Sequence, residues 1–172
     1  MSRGFVKETD QEPAPLVPPR AALPADAVNY VTPRGLRLLH EERDQLEARH
    51  AELAESAAAE GIDAERTRRE LTVVRAQLTE LASRIASAEL VEPDDVPDES
   101  VRFGATVTYR PDGGEPTHVT VVGVDEADLK TKRVSHLSPI ARALTGKRAG
   151  ETAELEMGGD VRTLEVVGIE YR

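Results

Sequence analysis

Apolar residues in the middle of the chain recur at intervals of three, four and seven, which is the spacing of one face of an α-helix. Thr32 can act as an N-cap and Pro33 suits the first helical position, so a helix is predicted to begin there. Gly61 is the best stop signal before a second apolar series begins. The two series form coiled-coil seams and consist of Leu39, Leu46 and Leu53, followed by Leu71, Val74, Leu78, Leu81, Ile85 and Ala88.

The positions of the two seams predict that the helices fold back on each other as an antiparallel hairpin over residues 32–91. Facing residues in such a hairpin lie at equal distances from its turn. Helices of about 27 residues would make a rod roughly 40 Å long, with its tip near residues 61–63. The predicted facing pairs are all symmetric about position 62, beside the stop signal, and they are Leu39 with Ile85, Leu46 with Leu78, and Leu53 with Leu71.

The pattern changes after residue 100 to short stretches typical of strands. Strands are predicted at residues 101–110 and 116–124, around a Pro-Asp-Gly-Gly turn, and at residues 151–157 and 161–171, around Gly158 and Gly159. Between them, Ser138 as cap, Pro139 at the first position and Gly146 as stop predict one short helix. The fold class is therefore α+β, a helical hairpin followed by a small antiparallel sheet domain over residues 101–172.

Two segments outside these domains have their own composition. Residues 92–100 form an acidic linker, and residues 1–31 form a proline-rich arm for which an extended, polyproline-like chain is favoured over helix or sheet. Two interpretations of the arm are open: a solvated leader, or a docking arm. Docking is suggested by the apolar residues Phe5, Val6, Leu16, Val17 and Tyr30.

Composition and charge exclude several classes of function. The 32 acidic and 22 basic residues give a net charge of −10, so the chain is expected to reach nucleic acid only indirectly, through a protein partner. Cysteine is absent, which excludes thiol catalysis and disulfides, and aromatic residues at 3% are too few for base-stacking platforms. No apolar run is long enough to span a membrane and no signal peptide is recognisable, so a cytoplasmic location is expected.

Three segments of the sheet domain carry a family resemblance, namely VRFGATVTY, VVGVDEAD and SPIARALTGKRAGE, in that order. Together with the hairpin opened by TPRGLRLL, they resemble the Gre family of bacterial transcription elongation factors, over residues 32–172. The resemblance implies an FKBP-like sheet domain that docks on RNA polymerase, and a coiled coil that enters the polymerase secondary channel. It also implies a monomer. Candidate polymerase-binding residues are Ser138, Pro139, Asp125, Glu126 and Asp128.

The resemblance implies chemistry at the hairpin tip. Gre tips carry an Asp and a Glu that complete the coordination of a catalytic Mg²⁺ and so promote cleavage of backtracked RNA. This chain lacks the usual G-D-L-x-E-N motif, but Asp63, Glu60 and Glu65 are acidic candidates at the tip. Asp63 and Glu60 are the candidate ligands of a Mg²⁺ shared with the polymerase. No cofactor of the chain's own and no enzymatic activity of its own are expected.

Alternatives remain open at this point. The hairpin is roughly ten residues shorter than a usual Gre coiled coil, which shortens the rod by ~7 Å and favours a regulator that occupies the channel without promoting cleavage. A coiled-coil interaction protein unrelated to polymerase is a further interpretation, because the exposed hairpin positions are charged. A prolyl isomerase is disfavoured, since the sheet domain has only three aromatic residues to form a pocket: Phe103, Tyr109 and Tyr171.

Overall fold

The helical hairpin is formed by two helices of equal length. The computed structural model of the protein describes residues 16–57, 62–92 and 99–171, and only the backbone of residues 62 and 63. Helix α1 spans Pro33–Ala57 and helix α2 spans Ile62–Ala86, each of 25 residues, so the rod is about 37 Å long. The Gly35 amide donates to the Thr32 hydroxyl at 2.9 Å, which confirms the predicted helix start. Neither helix in the described ranges is long and apolar enough to cross a bilayer.

The seam between α1 and α2 consists of two apolar clusters that follow the predicted pairing. Leu81 is completely buried at the base of the hairpin, where it packs with Leu39. Each predicted pair falls within one cluster, so the antiparallel register is confirmed. The clusters are Val31, Leu39 and Leu81 with Leu36, Leu46, Ile85 and Ala88 around them, and then Leu53, Leu71 and Val74 with Leu46 and Leu78 around them.

The sheet domain contains five strands and one short helix, α3, at Pro139–Leu144. Its core lies between the sheet and α3, where Leu144, Leu164 and Val166 are almost completely buried. The strands are β3 at Ala105–Pro111, β4 at Thr117–Val122, β5 at Arg133–Ser135, β6 at Thr152–Met157 and β7 at Asp160–Tyr171. Their order in the sheet is β5-β4-β3-β7-β6.

One strand pair departs from the antiparallel prediction. β5 runs parallel to β4, whereas the other neighbouring pairs in this sheet are antiparallel. Between β4 and β5 the chain turns back through a 3-10 helix, Leu129–Thr131, instead of forming a hairpin. Lys132 follows this helix in the left-handed region at φ 57°, and the chain then enters β5 in the same direction as β4. The result is a mixed sheet with β5 as an edge strand.

A second, two-stranded sheet lies at the base of the hairpin. β1 at Asn29–Val31 pairs in parallel with β2 at Ala88–Leu90. The prediction of extended, unpaired chain is therefore wrong for the last three residues of the arm, and Ala88 lies beyond the end of α2. Each strand has three residues, and its partner lies almost sixty positions away in sequence, so no local pattern indicates the pairing.

We predict that Leu81→Ala lowers the free energy of unfolding by about 2–5 kcal/mol, because it removes a fully buried side chain and leaves a cavity. Urea denaturation followed by circular dichroism measures this loss. The matched control is Leu129→Ala, because Leu129 is 83% exposed and its truncation should change stability by less than about 0.5 kcal/mol. Equal losses in both variants would contradict the buried seam.

Hairpin–sheet junction and candidate partner-binding surface

The turn after β4 carries a buried carboxylate at the junction between the hairpin and the sheet domain. Glu126 is 6% exposed and accepts a hydrogen bond from the Thr32 hydroxyl at the start of α1. Arg34 of α1 donates to the same carboxylate at 3.1 Å, and Arg133 of β5 lies 3.4 Å from it. Glu126 is therefore paired with both halves of the molecule, which compensates for the cost of burying its charge.

The neighbouring carboxylate, Asp125, connects the same turn to the arm and to α2. Arg20 of the arm donates to it at 3.1 Å, and Arg84 of α2 forms an ion pair with it at 3.3 Å. Arg20 also forms an ion pair with Glu42 of α1. Arg84 in turn donates to the backbone carbonyl of Ala21 at 2.5 Å.

Close backbone contact and three rings complete the junction. A Cβ at Gly123 would lie 2.6 Å from the carbonyl oxygen of Tyr30, so only glycine permits this approach. The rings of Tyr30, Phe103 and His136 form a triangle with centroid separations of 5.6–5.7 Å. These distances are within the range of favourable aromatic pairs. Sequence reasoning missed this cluster, whose three members lie far apart in the chain.

The predicted polymerase-binding residues divide into two groups in the structure. Asp125 and Glu126 face inward and are held by intramolecular ion pairs. Asp128 and Pro139 are exposed and Ser138 is partly exposed, so these three are accessible to a partner. A direct role in binding remains a prediction for all five residues.

The accessible residues lie on two loops at opposite ends of edge strand β5. Asp128 exchanges two backbone hydrogen bonds with Arg133 at 3.0 and 2.9 Å, and the Ser138 amide donates to the Ser135 carbonyl at 2.9 Å. Leu129 follows Asp128 and is 83% exposed, although it is apolar. We call Asp128, Leu129, Ser138 and Pro139 the β5 surface. Sequence analysis missed Leu129, whose only signal is an apolar residue within a charged stretch.

Two side chains of the β5 surface also have local structural roles. Ser138 accepts a hydrogen bond from the Ala141 amide at 3.3 Å, which confirms it as the N-cap of α3. Asp128 caps the 3-10 helix by accepting from the Lys130 amide at 3.0 Å. The surface is therefore built on ordered turns with fixed side-chain directions.

The hairpin tip lies largely outside the described residues. Glu60 falls in the segment 58–61, and Asp63 is described only as a backbone position in the first turn of α2. Glu65 is exposed. Within residues 16–57, 64–92 and 99–171 there is no group of three His, Cys, Asp or Glu side chains that could hold a metal ion. The proposed sharing of Mg²⁺ by Asp63 and Glu60 stays a prediction.

Comparison with known proteins identifies the family. A family model described as "Transcription elongation factor, GreA/GreB, C-term" matches residues 96–171. The Transcription elongation factor GreA of Neisseria meningitidis is 34% identical over 158 residues, which cover 82% of this chain and 96% of that protein. The chain belongs to the GreA/GreB family of transcription elongation factors. The GreA of Rickettsia conorii is 36% identical over 138 residues, which cover 78% of this chain and 85% of that protein.

Family membership confirms the resemblance inferred from the three sheet-domain motifs and the fold class of a hairpin followed by a sheet domain. Among solved structures, the GreA factor homolog 1 (Gfh1) protein of Thermus thermophilus matches with 23% identity and a TM-score of 0.37, covering 84% of this chain and 99% of that one. The family match at residues 96–171 contains the junction turn and the β5 surface of this Gre-family chain, but not its arm.

His136 makes the junction sensitive to pH. Burial lowers the pKa of this imidazole below 6.5, and the nearby charge of Arg142 lowers it further. Backbone hydrogen bonds with Val122 and Val28 raise the pKa but do not outweigh these two effects. At pH values just below 6.5, His136 is therefore protonated more readily in the unfolded chain than in the folded chain. The contribution of His136 to the free energy of unfolding is fully present above pH 6.5. It decreases as the pH falls from 6.5 toward the pKa of the folded state.

We predict that His136→Gln makes the free energy of unfolding less dependent on pH between 7.5 and 5.5, because the variant lacks the group with the depressed pKa. Urea denaturation at several pH values measures this dependence, and the slope is compared rather than the absolute stability. His118→Gln is the control, because His118 is exposed on β4. If His136→Gln and wild type have the same slope, the pKa of His136 is not lowered in the folded chain.

Proposed function

We propose that this elongation factor binds RNA polymerase as a monomer, through the β5 surface of its sheet domain, and inserts the helical hairpin into the secondary channel. The observation that carries this proposal is the construction of the turn at residues 123–128. Its first part, at Asp125 and Glu126, is ion-paired to the hairpin or the arm, and it ends at Asp128 on the β5 surface. A partner bound at Asp128 is therefore only two or three residues from the contacts that orient the hairpin.

The shape and charge of the hairpin support insertion into a channel. Two helices packed about one seam are narrow, and their rod is about 37 Å long, so the hairpin fits a pore that excludes a globular domain. A net charge of −10 favours approach to basic surfaces, such as those of a protein that holds nucleic acid. Contact with nucleic acid is accordingly proposed to be indirect, through the polymerase.

The β5 surface has the composition of a small protein-binding site. Leu129 projects an apolar side chain into solvent, and Pro139 is a second exposed apolar residue, at the other end of β5. Asp128 and Lys130 lie on either side of Leu129 and are exposed. An exposed apolar side chain surrounded by polar neighbours is compatible with a small interface that has an apolar core and a polar rim.

We expect Leu129→Ser, and separately Ser138→Glu combined with Pro139→Ala, to weaken binding of the full chain to its cognate RNA polymerase by about tenfold or more, which is 1.4 kcal/mol. Leu129→Ser removes the exposed anchor without disturbing the core, whereas the double variant places a charge at the cap of α3. Biolayer interferometry with immobilised polymerase measures the affinities.

The control for this measurement is Thr152→Glu, which adds the same charge to an exposed position at the start of β6. It should bind as wild type does. Thermal melts check that each variant is folded, because Ser138 also caps a helix. Wild-type affinity in both Leu129→Ser and the double variant would assign the contact to another surface.

The tip residues decide whether the factor also promotes transcript cleavage. Carboxylate oxygens are the ligands that Mg²⁺ prefers, so Asp63 and Glu60 have suitable chemistry. By the family resemblance, we assign the tip carboxylates to a Mg²⁺ shared with the polymerase active site. The cleavage would then be an activity of the polymerase, which the factor stimulates.

We expect Asp63→Ala combined with Glu60→Ala to abolish Mg²⁺-dependent shortening of RNA in a stalled, backtracked complex, while polymerase affinity stays within about twofold of wild type. Denaturing gels of labelled transcript measure the cleavage. Asp44→Ala combined with Glu47→Ala is the control, because these exposed acids lie on α1 away from the tip. A wild-type factor that binds polymerase but never shortens the RNA would instead act by occupying the channel.

A further inference from the structure

The described part of the arm is attached to both domains of the molecule. At Arg20 it contacts α1 through Glu42 and the sheet-domain turn through Asp125. One position later, the carbonyl of Ala21 accepts a hydrogen bond from Arg84 of α2. The arm therefore meets both helices and the sheet domain within two consecutive residues.

Arg20 binds two carboxylates from different parts of the molecule, whereas a single surface ion pair joins only two side chains. Its Nη1 atom donates to Asp125 at 3.1 Å, and its Nη2 atom donates to Glu42. A planar guanidinium with fixed donor directions can hold two carboxylates in one relative position. The Arg20 side chain is 17% exposed and that of Asp125 is 10% exposed, so water competes little for this pair. The Glu42 side chain is 43% exposed, so its contact with Arg20 is more open to solvent.

Asp125 is shared between two arginines of different segments. Arg20 approaches one carboxylate oxygen and Arg84 approaches the other, so the aspartate connects the arm to α2. Because Arg84 also donates to Ala21, the same four groups close a ring of contacts. Removal of one member of such a network leaves the others buried and underpaired.

We propose that Arg20 and Ala21 of the arm form an intramolecular clamp, in which Arg20 fixes the angle between the helical hairpin and the sheet domain. The bridge adds to the contacts of Glu126 and of the ring cluster, and it involves the neighbouring carboxylate of the same turn, Asp125. The angle matters for any function of the rod, because a rotation of 10° at its base displaces a tip about 37 Å away by about 6 Å. The clamp is a property of the chain alone and does not depend on polymerase binding.

The test measures the distance between the hairpin and the sheet domain directly. The chain has no native cysteine, so spin labels can be placed at two exposed positions by Glu55→Cys on α1 and Glu156→Cys on β6. Double electron–electron resonance on the labelled full chain gives the distribution of distances between them. We expect one narrow distribution for the otherwise wild-type chain, and a distribution broadened by about twofold or more when Arg20→Gln is added.

The matched control is Arg66→Gln, which removes the same charge from a side chain that is 83% exposed on α2. It should leave the distribution unchanged. Arg20→Gln does not alter the apolar seam or the sheet core, and circular dichroism verifies that both variants keep the wild-type helix content. A distribution in Arg20→Gln as narrow as in the wild type, and centred at the same distance, would overturn the clamp.

Discussion

The pairing of two adjacent carboxylates, Asp125 and Glu126, connects every described part of this protein. Glu126 is buried against Thr32 and Arg34 at the start of α1, and Asp125 against Arg20 and Arg84. A buried carboxylate left without its partner typically costs 3–5 kcal/mol, so such a group strongly disfavours structures in which its partners move away. These ion pairs therefore stabilise one orientation of the hairpin relative to the sheet domain, while the apolar core of each domain stabilises that domain.

These carboxylates lie in the turn that leads to the proposed binding surface. The turn that carries them begins at Gly123, where a close approach to the Tyr30 backbone admits no side chain, and ends at Asp128 on the β5 surface. A short turn has few rotatable backbone torsions, so its two ends keep nearly fixed positions relative to each other. For a Gre-family factor, this places the residues proposed to touch the polymerase directly beside the residues that set the direction of the hairpin.

The hairpin is held together by a small number of apolar residues. Its seam consists of two small clusters, at Leu39 with Leu81 and at Leu53 with Leu71 and Val74, while its outer faces carry charge. A surface pair such as Arg49 and Glu70, at 3.0 Å between α1 and α2, adds only a fraction of a kcal/mol. The buried leucines therefore fix the register, and the charged faces remain exposed to solvent.

The sequence alone determined the features that depend on local periodicity and local capping. The leucine spacing specified two helices and their antiparallel register, and Ser138 with Pro139 specified α3, because each signal lies within a few turns of chain. Strands of three residues such as β1, β2 and β5 contain too few positions to show an alternation, so they were missed.

Only the tertiary structure decided which charged residues face inward. In the sequence, Asp125, Glu126 and Asp128 are equivalent acids of one motif, yet two of them are held at the junction and one is exposed. The same holds for Arg20, whose partner Asp125 lies 105 positions away. Pairing across such distances depends on how the hairpin and the sheet domain come together, and a local pattern of charges contains no information about that arrangement.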